Sequence, residues 1–232
     1  MSFVEINFRV FRAKSAFTLA EVLITLGIIG VVAAMTMPAL IQNYKKHVYV
    51  EQLKTTVSVL NQAVKHYMAD EGVDDLKNSS MSGNSDGLKK FVHKYLKVVN
   101  DCNGKYYVED GKKCFAKYYK NQNSPHAINM SSGWWECSIV VNLANGATVC
   151  GDIADAPDTE PIPDRYAFIF LEIDTNGHKG PNEINRDFFA ISVDNKGIIY
   201  DPVWVDEKRF DINDHYGGAV GKIMSEGWKM NY

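Results

Sequence analysis

The chain has 232 residues, 46% hydrophobic and 23% charged, with a formal net charge of −3 and four cysteines. That is enough apolar material for one membrane span and one globular domain with a core, too much for a disordered chain and too little for two full domains. The mildly acidic balance offers no basic surface to hold phosphates, so no nucleic-acid partner is expected.

Residues 1–16 form a short basic leader. Arg9, Arg12 and Lys14 against Glu5 give it +2, so the remainder carries −5 of the net −3. It is too polar to be a secretory peptide by itself. From Val22 to Tyr44 no side chain is charged, and a helix rising about 1.5 Å per residue crosses a hydrocarbon layer about 30 Å thick within that stretch. One span is expected, at about residues 17–41. Glu21 stands at its head. A carboxylate there costs roughly 3 kcal/mol on insertion scales, so it reads as a functional group in need of a partner. The competing reading keeps it in the first turn of its own helix, where the dipole favours an acid and the headgroups are in reach.

The run Lys14, Ser15, Ala16, Phe17, Thr18, Leu19, Ala20, Glu21, Val22, Leu23 resembles the class III signal of type IV prepilins and type II secretion pseudopilins. The resemblance implies that prepilin peptidase cuts between Ala16 and Phe17 and methylates the new amino terminus of Phe17, leaving Glu21 fifth in the mature chain. Pro38 stands where many members of the family have a proline that bends the long helix. Ala16 departs from the usual Gly before the cut. The resemblance is close over residues 14–41 and loose beyond about residue 70. It implies a filament subunit, of the type II secretion pseudopilin kind. Its partners would be other copies, minor pilins or pseudopilins, the peptidase, an inner-membrane assembly platform and membrane lipid. The subunit would pass once through the bacterial cytoplasmic membrane and later join a periplasmic or extracellular filament. Physically, a freed Phe17 ammonium is the one strong cation that a neighbouring copy could set beside Glu21 in an apolar surrounding, which relieves burial and fixes register.

A rival parse takes residues 22–34 as the apolar region of an ordinary signal cut after Ala34 or Ala39. With it goes a different function: a secreted or membrane-anchored binding or adhesion module whose N-terminus is only a tether. Basic residues flank the span on both sides, Lys45, Lys46 and Lys54 following it, so charge does not orient it. All four cysteines follow the span, and disulfides need an oxidising compartment, which places the C-terminal side outside the cytoplasm.

Beyond the span, Val50, Leu53, Val57, Leu60, Val64 and Tyr67 recur at steps of three and four, an apolar helix face that packs on its own domain in preference to a coiled-coil seam. Phe17 to Glu71 then reads as one helix about 80 Å long, kinked at Pro38. Residues 72–87 read as a loop. Its Gly83-Asn84-Ser85-Asp86-Gly87 matches the hydrolase elbow by chance, since no buried strand precedes it. Ser85 or Asp86 is expected to cap a helix from Leu88 to Val99.

The rest reads as an antiparallel sheet with strands at Tyr106–Val108, Cys137–Leu143, Ala147–Gly151, Tyr166–Ile173, Phe188–Val193 and Ile198–Val205. Turns fall at Asp110-Gly111, Asn145-Gly146 and Asn195-Lys196-Gly197, with a Pro/Asp-rich linker at 155–164. The fold class is α+β: leader 1–16, helix 17–71 and a head domain, 72–232. Among three connectivities the neighbour pairing Cys102–Cys114 and Cys137–Cys150 is expected. A two-residue turn at Asn145-Gly146 would set Cys150 opposite Val141, so the second bridge needs a longer loop or a bulge. Asp174, Asn176 and Asp187 lie on a Gly-rich, oxygen-rich stretch suited to calcium. That stretch resembles the calcium loop near the C-terminus of major pseudopilins; the competing reading is a turn held by Asx hydrogen bonds. No other cofactor is expected, and no enzyme signature is found. Trp134-Trp135 reads as a buried aromatic pair, and the C-terminal aromatics are expected to pack back on the domain.

Overall fold

The computed structural model describes residues 17–107, 114–121, 126–131, 137–154 and 166–232. It divides into two compact units, Met1–Tyr44 and Lys45–Tyr232.

Helix α1, Leu19–Glu71, contributes to both units and continues through Pro38, whose ring leaves one carbonyl of the preceding turn without its donor. In the first unit every residue from Phe17 to Tyr44 is exposed except the half-buried Ala33. An 18-residue window here reaches a mean hydropathy of 2.2, with none of it buried. A helix with apolar side chains on every side, covered by no other described residue, is stable in lipid or against other such helices.

The second unit is built on a six-stranded antiparallel sheet. Its strands are β1 (Val98–Asp101), β4 (Ile139–Leu143), β5 (Thr148–Ile153), β6 (Ala167–Asp174), β7 (Phe188–Asp194) and β8 (Ile199–Tyr200), in the order β1-β4-β5-β6-β7-β8. From β4 onward each strand pairs with the next, as short connections demand. A separate two-stranded ribbon joins β2 (Tyr118–Tyr119) to β3 (Ile128–Asn129). Alternation divides the sheet into two chemically different faces. On one, Ile139, Val141, Val149, Leu171, Ile191 and Val193 meet α1 and α2, Ser85–Tyr95. The helix stripe Val50, Leu53, Val57, Leu60, Val64 and Tyr67 is buried there, which is the own-domain packing its spacing predicts. Gly197 is needed in the β7–β8 turn. Its φ is +75°, which favours glycine, and a Cβ would stand 2.5 Å from Met68 Sδ and 3.0 Å from Val64 Cγ1 of α1, so a larger residue would strain the turn and displace the Met68 side chain.

Several boundaries differ from expectation. Asn84, one residue earlier than expected, caps α2 by accepting from the Asp86 N–H, and α2 ends at Tyr95. Val99 lies on β1 and is 70% exposed, because the chain is taken up by pairing with β4. The expected strand Ile198–Val205 stops at Tyr200. Asp201 then accepts from Trp204 N and Pro202 opens helix α3, Pro202–Glu207, since proline is favoured in a first helical turn and cannot donate to a ladder. A short helix α4, Ala219–Ser225, follows, and Trp228 and Tyr232 pack on the core. The strand proposed at Tyr106–Val108 is irregular at Tyr106 and Tyr107. Val108, the Asp110-Gly111 turn, the Trp134-Trp135 pair and the 155–164 linker lie outside the described residues.

Candidate functional site

The N-terminal site begins at Phe17, 87% exposed; Ala16 lies outside the described residues. Thr18 and Glu21 form a reciprocal cap. Thr18 N and Oγ1 donate to Glu21 Oε2 at 2.9 and 2.8 Å, and Glu21 N donates to Thr18 Oγ1 at 3.2 Å. This is the S/T-x-x-E capping box, which satisfies two donors orphaned at a helix start. The carboxylate is therefore held at the head of the apolar shaft with its negative charge uncompensated: it accepts two hydrogen bonds but meets no cation in its own chain among the described residues. Pro38 is exposed in the interior of α1.

The four cysteines pair as Cys102–Cys114 and Cys137–Cys150, with Cα–Cα distances of 6.4 and 5.9 Å. Residues 144–147 link β4 to β5, and a hydrogen bond from Leu143 N to Ala147 O at 2.8 Å closes a three-residue turn at 144–146 in place of the two-residue one. Cys150 then faces Val140. The chain before β4 bends, with Ser138 N donating to Asp152 Oδ1 at 2.6 Å, and Cys137 reaches the same face.

The structure brings Asp174, Asn176 and Asp187 together. Asp174 Oδ1 accepts from Asn176 N at 3.0 Å, and Tyr119 donates its hydroxyl proton to Asp174 Oδ2. Asp187 accepts from Asn182 N at 2.8 Å and Glu183 N at 2.7 Å, and Asn176 Nδ2 lies 3.5 Å from Asp187 Oδ2. With its amide turned the other way, Asn176 meets Asp174 Oδ1 at 3.0 Å and the carbonyl oxygens of Gly177, at 3.1 Å, and Lys179. Both carboxylates are fully buried. Burial, and next the negative charge of Asp187, push the Asp174 carboxyl well above its ordinary range; burial against the opposing pull of backbone donors raises Asp187 to about 6. Two buried acids and a convergence of carbonyl and amide oxygens form a donor set of the kind calcium takes. The hydrogen bonds already made also satisfy the turn without a metal, so the Asx reading accounts for part of the same geometry.

Four side chains on the second face were not singled out in the sequence: Tyr106, Tyr119, Glu172 and His215. Of these only Glu172 left a signal, an acid in the apolar run Ala167–Asp174, and acids are almost never fully buried without a partner. The T-x-x-E cap was equally readable.

Residues 11–37 match the family described as the prokaryotic N-terminal methylation motif, and no curated protein and no solved structure matches the chain. The matched segment contains Ala16, Phe17, the Thr18–Glu21 cap and the beginning of the exposed apolar helix. At its N-terminus the chain carries a type IV pilin-like prepilin signal.

Proposed function

We propose that this chain is a structural subunit of a type IV pilus-like filament, a type II secretion pseudopilin, and that its work is assembly rather than catalysis. The observation that carries the reading is the uncharged helical segment, exposed at every position but Ala33, headed by one capped carboxylate inside a methylation motif. Cleavage between Ala16 and Phe17 by prepilin peptidase frees an ammonium at the start of the helix. In a filament that ammonium meets Glu21 of an adjoining copy, the charges offset each other's desolvation, and the axial register of the subunits is set. The apolar helices form the shaft. The domain after the span lies outside the cytoplasm, where its two disulfides can persist. Calcium, if bound, is held by Asp174, Asn176 and Asp187, where it would neutralise two buried acids. Mass spectrometry of the native N-terminus tests the central step. A chain beginning at Phe17 and carrying one added methyl group is expected; a retained Met1, or a start near Met35, refutes it.

A further inference from the structure

Of the four cysteines, three are sealed in the domain: Cys102 and Cys114 are 1% exposed and Cys150 is 0% exposed. Cys137 is half-buried, and it lines a cleft of about 480 Å³ between the first turns of α2, the loop after β1 and the start of β4. That volume is within the range of pockets that take small ligands. Ser85, Lys89, Asp101, Asn103 and Ser138 give the cleft hydroxyl, amide and charged groups, one cation against one anion, so it suits a hydrophilic ligand. Its walls are tied together. Ser138 Oγ donates to Ser85 Oγ at 3.1 Å, Lys89 Nζ stands 3.2 Å from Asp86 Oδ1, and Asp101 Oδ2 is hydrogen-bonded with His93 Nε2 at 2.9 Å. Nor is Cys137 exposed by a loose backbone. Its N–H donates to Gly104 O at 3.0 Å, and Gly104, at φ +75°, lies so close that a Cβ would stand 2.5 Å from the Cys137 carbonyl oxygen. The buried Tyr106 hydroxyl stands 3.1 Å from Cys150 Sγ and 3.2 Å from Cys137 Sγ.

We propose that Cys137 is a thiol-exchange site, at which an external thiol enters the cleft, opens the Cys137–Cys150 bridge and is held as a mixed disulfide. Exchange starts when a thiolate attacks one sulfur of a disulfide, and access decides which sulfur and which bridge. Cys150, on the interior of β5, is closed to an external group, so the attacked atom is Cys137 Sγ. The bond between the thiol's sulfur and Cys137 Sγ forms, the Cys137–Cys150 bond breaks, and Cys150 Sγ leaves as a thiolate. The Tyr106 hydroxyl donates a hydrogen bond to it where it is released. The proton it then takes up balances the one the incoming thiol lost, so one disulfide has replaced another with no net oxidation. A second thiolate attacks the external sulfur and releases Cys137 reduced, the two electrons coming from the pair of thiols. Run in reverse, the same path closes the bridge at the expense of an external disulfide. Cys102–Cys114, with both cysteines buried, opens only when the domain unfolds locally. The site uses residues of the head domain alone, so its failure leaves the filament reading untouched.

The test exposes the full oxidised chain, native in detergent, to reduced glutathione, quenches with an alkylating agent and maps each cysteine by peptide mass spectrometry. Glutathione should appear on Cys137 and not on Cys150, and Cys137–Cys150 should open at least about tenfold faster than Cys102–Cys114. Ser85→Trp, which sets a large side chain in the cleft from an exposed position, should slow the first opening at least about tenfold and leave the second unchanged. A thioredoxin whose second active-site cysteine is replaced by serine supplies the other source of thiol. Its capture on Cys137 extends the site to protein thiols, and capture of glutathione alone restricts it to small ones. Equal opening of the two bridges, glutathione on Cys150, or an opening that Ser85→Trp does not slow overturns the proposal. Should Ser85→Trp fail to fold, the order of opening and the labelled sulfur in the wild type decide.

Discussion

Replacing Glu21 by Gln separates its two roles. The glutamine carbonyl can still accept from Thr18, whose N and Oγ1 now donate at 2.9 and 2.8 Å, so the helix start is kept while the charge is lost. In a desolvated shaft the pair's attraction goes largely to offsetting burial, but removing one partner leaves the adjoining copy's ammonium uncompensated. The affinity for adding a subunit should then fall on the order of a hundredfold. Membrane insertion should be unimpaired or slightly easier, because a charge has been removed from the span. The assay compares sedimentable filament with membrane-bound subunit at matched expression, for wild type, Glu21→Gln and Glu21→Ala. Filament is expected to collapse in both variants while the membrane fraction persists. If Glu21→Gln assembles like wild type and only Glu21→Ala fails, the acid works as a helix cap and the intersubunit pairing is refuted.

Three further outcomes follow from the second unit. Cys102→Ala with Cys114→Ala opens a bridge between cysteines 12 positions apart and should lower unfolding free energy by about 3 kcal/mol in a denaturant titration. Leu53, 0% exposed where α1 lies on the sheet, should cost about 2–5 kcal/mol when cut to Ala, read as a fall in thermal midpoint. Asp187 is raised from an ordinary 3.8 to about 6. A carboxyl whose pKa rises on folding favours the folded state below its unfolded value, and that contribution is lost as pH climbs through the folded value. Without metal the loss between about pH 4 and 6 should be on the order of 3 kcal/mol, and calcium, which needs the ionised form, should restore stability above about pH 6 and do nothing below about pH 4. Melting curves with and without calcium decide this, and no gain at neutral pH in wild type ends the calcium reading.

Much of the fold was legible where a single periodicity dominated. The stripe from Val50 to Tyr67 and the cores of β4 to β7 are long and strongly patterned, and their burial follows from alternation or helical spacing alone. What was missed is short or decided by pairing. Leu96 to Val99 continues an apolar helical pattern on paper, yet β4 has an open edge, and the ladder captures Val98–Asp101. The signal at Asp201-Pro202 was local and readable, but the β-branched run around it read as strand. At the candidate sites, the spacing of Asp174, Asn176 and Asp187 put three oxygen-bearing side chains in one loop. No spacing could tell that Tyr119, 55 residues before Asp174, would bond one of them, or that His215 would meet Glu172 from 43 residues away.

The two faces of the sheet also suggest an order of events. The helix-covered face is aliphatic and can form as soon as α1 and the strands collapse, since burial of apolar surface needs no covalent help. The opposite face carries Thr148, Cys150, Glu172, Asp174, Phe188 and Ser192, too polar to hold a helix and too apolar to face water. It is covered by Tyr106, Phe115 and Tyr119, with Phe115 stacked on Tyr106 at 4.8 Å and Tyr119 against Phe188 at 4.8 Å. Among the described residues the segments that bring these rings contribute the two-residue strands β2 and β3, and a ribbon that small is at best marginal in water by itself. The disulfides supply the missing constraint by limiting the unfolded chain. They can close only where thiols are oxidised, so on the proposed topology the span must be inserted before the second face is finished. A subunit trapped on the reducing side would hold the helix-packed core without its cover, and partial proteolysis should then cut first between Cys102 and Cys137.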